Sequence, residues 1–154
     1  MCSLDTLNED KFEQITRRKG HSSVLLALTH ALTHLTDAPL TTSLKEFQPG
    51  LRSLKVNTVL TRSTNLSEMI DFVELTKDMD ISVRFIEFMP FSGNEWDKRE
   101  MVPYDECLRI LREKYKGDLE MVDDTGGDGT SKRWRVKGYK GEIGFISSMV
   151  STRV

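Results

Sequence analysis

Leu54, Val56, Thr58 and Leu60 alternate with Lys55, Asn57 and Val59. A period of two marks a strand whose faces differ, so the even positions are expected to face one way and Lys55, Asn57 and Val59 the other. Ile81 to Met89 predicts a second strand, stopped by Pro90. Between the two lies helical spacing, with Asn65 or Ser67 at its start and Leu66, Met69, Ile70 and Val73 on its buried side. Upstream, Asn8 to Arg18 suggests a short helix with Phe12 and Ile15 on one face. A further helix follows Gly20, capped by Ser22 or Ser23. Its apolar positions are Val24, Leu28, Ala31, Leu32 and Leu35, and Asp37-Ala38-Pro39 ends it. Cys2-Ser3-Leu4-Asp5 reads as the last residues of a strand entering a loop.

Residues 36–53 keep no period and hold Pro39, Pro49 and Gly50, the mark of a loop or an insertion. Downstream, Pro103 with Asp105 and Glu106 opens a helix that Lys114, Lys116 and Gly117 close. Residues 123–132 form a Gly/Asp-rich loop. Arg133 to Val136 and Gly141 to Val150 predict strands around a Gly138–Gly141 turn. Helix, strand, helix, strand with short links argues for βα units and parallel strands. The tail turns to antiparallel β, a small second region.

Length and composition narrow the class. A chain of 154 residues is the size of one domain. Its 22 Lys+Arg against 24 Asp+Glu create no global field favouring nucleic acid or an anionic membrane. With 38% hydrophobic and 30% charged residues, a core is affordable but thin. The apolar runs are too short to span a bilayer, and no signal sequence opens the chain. Cys2 and Cys107 stand far apart and suggest no disulfide framework. A soluble, intracellular chain is expected.

Several residues are candidates for chemistry. Lys55 and Asn57 either point into a barrel toward an anionic or polar ligand or lie solvated on an edge strand. Strand parity puts Arg84 opposite Glu87 and Met89, so a regular strand cannot aim all three inward. A bulge, a ligand served by one face only, or a structural Arg–Glu pairing each satisfies that parity. His30 and His34 have the four-residue spacing that can hold a metal, but no Glu follows His30 as in HExxH and no third ligand is evident. Gly126 to Lys132 lacks the Gly-Lys-Ser/Thr order of a phosphate loop and reads as surface. Cys107, beside Leu108 and Leu111, reads as a core or boundary residue.

Four segments carry a family resemblance. They are Ser3-Leu4-Asp5-Thr6-Leu7; Phe12 through Arg17-Arg18-Lys19-Gly20; Leu54-Lys55-Val56-Asn57-Thr58-Val59; and VRFIEFMPFSGNEWDKREMV from Val83 to Val102. Together with GEIGFISSM from Gly141 to Met149, they resemble the molybdenum cofactor biosynthesis protein A family, the GTP 3′,8-cyclases. The resemblance implies the C-terminal half of a partial (βα)₆ radical-SAM barrel over residues 1–91. A truncated molybdenum cofactor synthesis C-terminal region would follow over residues 92–154.

In that family an N-terminal CxxxCxxC holds a [4Fe–4S] cluster that cleaves S-adenosylmethionine (SAM), and a second cluster binds the purine of GTP. The product is 3′,8-cyclo-7,8-dihydro-GTP, on the route to the molybdenum cofactor. By matching position, Ser3 and Met89 are implied SAM contacts, and Lys55 and Arg84 are implied GTP contacts. Neither cysteine motif is present, and thiolates are the cluster ligands. The expectation is therefore a fragment of a GTP 3′,8-cyclase that is inactive alone, in the cytoplasm or the mitochondrial matrix. It would be able to associate with itself or another chain through an exposed barrel edge. The alternative is a non-catalytic binding or regulatory half-barrel chain, or an unstable truncated product.

Overall fold

The computed structural model describes residues 2–37, 54–89, 97–122 and 132–147. The run begins with β1 (Cys2–Ser3), α1 (Glu9–Thr16) and α2 (His21–Asp37). Next come β2 (Leu54–Leu60), a 3₁₀ turn (Leu66–Glu68), α3 (Met69–Asp78) and β3 (Ile81–Glu87). A second 3₁₀ turn (Lys98–Glu100), α4 (Tyr104–Tyr115), β4 (Leu119–Met121), β5 (Lys132–Val136) and β6 (Glu142–Ile146) complete it.

These strands form one mixed sheet in the order β1-β2-β3-β6-β5-β4. The pairs β1–β2, β2–β3 and β3–β6 are parallel, whereas β5 runs antiparallel to both β6 and β4. The tail does turn antiparallel, yet its last strand, β6, docks parallel on β3. One sheet therefore runs through residues on both sides of position 91.

The alternation in β2 resolves as expected: Val56, Thr58 and Leu60 are buried, while Lys55, Asn57 and Val59 are half-buried. Residues paired across neighbouring strands share a face. Val56, Val83 and Ile143 thus line the apolar face in one row, and Thr58, Phe85 and Phe145 in the next. Described helices pack on this apolar face. Phe72 of α3 meets Phe85 edge-on at 6.4 Å, and Tyr104 at the start of α4 meets Phe145 at 5.3 Å. Met69, Val73, Leu108 and Leu111 close the core.

Several boundaries move from expectation for local reasons. Helix α2 begins at His21, with Gly20 rather than a serine before it; the Val24 N–H donates to the Gly20 carbonyl, and Gly20 takes φ +130°, which a side chain would disfavour. Pro103 stands at the cap of α4 with Tyr104 as its first helical residue. Strand β3 ends at Glu87, leaving Met89 beyond it, and β6 ends at Ile146. Ile70 and Leu66 are only half-buried; Phe72 and Thr76 take the buried side of α3 instead. The short β4 had no period long enough to mark it. Of the loop expected at residues 36–53, residues 36–37 belong to α2; residues 38–53, Pro90, and the Gly126–Ser131 segment lie outside the described residues.

Candidate functional site

The face of the sheet opposite the helices is polar, and pairing register builds it from the strands upward. Ser3 of β1 pairs with Asn57, Asn57 with Arg84, Arg84 with Gly144, and Gly144 with Arg133 of β5. These five residues form one row across five strands' width. The adjacent row holds Lys55, Ser82 and Glu142. Arg84 is 9% exposed and Ser82 2% exposed, so these groups are desolvated to a degree unusual for a charged strand face. Arg133 lies 3.6 Å from Glu142 in an ion pair with both side chains largely buried.

Ser3, Lys55 and Arg84, expected from the sequence to meet a ligand, are thus brought to one face within two adjacent rows. Met89 is not: it lies past the carboxyl end of β3, half-buried, five residues beyond Arg84. Glu87 faces the apolar side, in register with Leu60. The parity argument holds without a bulge, and Arg84 and Glu87 serve different faces. Arg133 and Gly144 went unmarked in the sequence, because only the docking of β6 on β3 puts them in this row.

The carboxyl ends of β1 and β2 are held by a separate polar cluster. Asn65, 1% exposed, stands at the start of the helical run as expected, its carbonyl accepting the Glu68 N–H; its side chain makes no cap bond and ties the two strand ends together. Its Nδ2 donates to the Asp5 carbonyl (2.7 Å) and the Val59 carbonyl (2.8 Å), and its Oδ1 accepts the Thr61 N–H (2.8 Å). Thr58 Oγ1 donates to the Leu4 carbonyl at 2.7 Å, and the Asp5 carboxylate accepts the Val59 N–H at 2.8 Å. Burial raises the Asp5 carboxyl above its usual range, partly offset by that N–H. Nearby, Glu68 accepts from Thr6 Oγ1 (2.7 Å), the Leu7 N–H (2.8 Å) and Lys11 Nζ (2.7 Å). Burial pushes Glu68 upward, but these three donors outweigh it and hold the carboxyl below its usual range. The cluster fixes where β1 ends, and with it the position of Ser3.

Other sequence candidates fall away from this face. Cys107 is buried in α4, and desolvation pushes its thiol up to about 12, leaving no thiolate near neutral pH. His30 is exposed on α2, while the side chain of His34 lies outside those described. Among the described residues no group of three or more His, Cys, Asp or Glu is arranged to hold a metal ion, and no helix is long and apolar enough to cross a membrane. The described cysteines do not fit an iron–sulfur cluster: Cys2 stands on the apolar side of β1, in register with Val56, and Cys107 is sealed in the core.

A parallel α/β sheet with an antiparallel extension and a cationic face is the class of domain defined here. Residues 81–152 match the family described as Molybdenum Cofactor Synthesis C. Molybdenum cofactor biosynthesis protein 1 of Drosophila melanogaster is 42% identical over 147 residues, covering 96% of this chain and 23% of that protein. A mitochondrial GTP 3′,8-cyclase of Arabidopsis thaliana is 40% identical over 147 residues, covering 96% of this chain and 33% of the relative. A GTP 3′,8-cyclase of Listeria welshimeri is 34% identical over 151 residues, 97% of this chain and 40% of the relative. The chain belongs to the molybdenum cofactor biosynthesis protein A family, and it spans well under half the length of these relatives.

Proposed function

We propose that this chain is the phosphate-binding portion of a GTP 3′,8-cyclase, with Lys55 and Arg84 contacting the triphosphate of GTP. The observation that carries the reading is the row Ser3–Asn57–Arg84 with Lys55 in the next row, all on the face opposite the helices. A desolvated guanidinium and an ammonium on one face suit a polyanion, the guanidinium by its planar fork and the ammonium as a point charge. In this reading the sheet is the C-terminal half of a partial (βα)₆ barrel whose interior is the polar face. Residues 1–91 are the barrel portion, and 92–154 belong to the C-terminal region.

In the whole enzyme, SAM and two [4Fe–4S] clusters would supply radical chemistry that converts GTP to 3′,8-cyclo-7,8-dihydro-GTP. Ser3 offers a hydroxyl, and Met89 a thioether surface, to the SAM molecule. The described residues of this chain provide no cluster ligands, so their part is to bind and orient: Lys55 and Arg84 hold the phosphates, and Ser3 is fixed by the Asn65 clamp. The chain by itself is then inactive as a cyclase. Strand β1, an edge of the sheet, is the place where further strands or a second chain would add.

Calorimetric titration of GTP into the chain and into Lys55→Ala tests the reading. Losing one charge-assisted phosphate contact is expected to weaken binding by about 1.5–3 kcal/mol, roughly ten- to a hundredfold. Equal affinities for the two proteins would remove Lys55 from the site.

A further inference from the structure

We infer that Arg133, on β5, is a further anion-binding residue of the polar face and completes with Arg84 a two-arginine clamp for a phosphate chain; the inference rests on the reading of this face as a triphosphate site. Arg84 and Arg133 are both partners of Gly144, one on each side of β6. Their Cα atoms therefore lie two strand spacings apart, about 9.6 Å. The residue between them has no side chain, so β6 places no side chain between the two guanidinium groups at that position. Long side chains rooted at that spacing converge on a ligand lying over Gly144. A phosphate chain, with oxygens spread along its length, can accept from both forks at once.

The charge count of the two rows points the same way. The strands contribute Lys55, Arg84 and Arg133 as cations and Glu142 as a carboxylate, while Arg135 and Glu120, paired with each other, extend the same face by one charge of each sign. Glu142 lies on the Arg133 side, at 3.6 Å, longer than the 2.7–2.9 Å of a tight charge-assisted hydrogen bond. A multiply charged anion would compete with this carboxylate for Arg133. Arg133 and Glu142 are consequently expected to act in opposite directions on anion affinity, which a purely structural ion pair would not do.

The test is titration of inorganic tripolyphosphate, and separately GTP, into the 154-residue chain and into Arg133→Ala, Glu142→Gln, Lys55→Ala and Arg109→Ala. Arg109 is an exposed arginine of α4 paired with Glu113, so its removal controls for net charge alone. Arg133→Ala is expected to weaken both ligands about ten- to a hundredfold, Glu142→Gln to tighten them, and Arg109→Ala to leave them unchanged. If Lys55→Ala weakens binding while Arg133→Ala matches the parent, Arg133 is outside the site and the triphosphate reading stands. If the parent binds neither ligand, both fall. Should Arg133→Ala fail to give a cooperative melt, Glu142→Gln decides: unchanged or weaker affinity overturns the clamp.

Discussion

Gly141→Ala is expected to destabilise the chain by about 3 kcal/mol, the upper end of what overpacking costs. Gly141 enters β6, and a Cβ there would collide with the Ile81 carbonyl and come within 2.8 Å of the Met79 carbonyl. Both obstacles are backbone atoms, one at the start of β3 and one just before it, so no rotamer change relieves them. The Gly141 N–H also donates to the Thr76 carbonyl of α3 at 2.9 Å, which pins the close approach. The only relief is to withdraw β6 from β3, and that breaks the parallel pairing that carries Gly144 into the cationic row. Urea denaturation should show a lower midpoint with the slope retained. A stability within 0.5 kcal/mol of the parent, the usual range for an inconsequential surface change, would mean that β6 does not dock as described.

Phe72→Ala should be more costly still, about 3–5 kcal/mol. The ring is fully buried in α3 and meets Phe85 of β3 at 89° between ring planes. Phe85 in turn packs on Phe145 of β6 at 5.6 Å, so the cavity would open beneath the centre of the sheet. A typical domain has only about 5–15 kcal/mol of stability in total. The variant is therefore expected to lose most of its folded population margin, seen as a large drop in melting temperature and in denaturation midpoint. A melt unchanged from the parent would contradict the placement of α3 on the apolar face.

What the sequence made legible was local. Alternation in Leu54–Leu60 correctly separated Lys55, Asn57 and Val59 from the buried set, because a strand's period is fixed by its pleat. The same parity separated Arg84 from Glu87 before any fold was known. Motif likeness identified the family, and from it comes the proposal that Lys55 and Arg84 meet GTP. What stayed hidden depended on contacts far along the chain. Nothing near residue 144 announces that β6 joins β3, some 60 positions earlier, and so Arg133 could not be seen beside Arg84. Asn65 was legible only in part: it does start the helical run, but its side chain serves as a strand clamp, which depends on the nearness of the Asp5 and Val59 carbonyls.

Amide chemical-shift mapping of the isotope-labelled chain with GTP tests most directly whether the polar face is the nucleotide site. The largest shifts are expected at the amides of Lys55, Asn57, Arg84, Gly144 and Arg133, drawn from the two adjacent rows. Residues of α3 and α4, on the opposite face, should hardly move. Shifts concentrated on the helical face, or none at millimolar GTP, would contradict the assignment of this face to nucleotide.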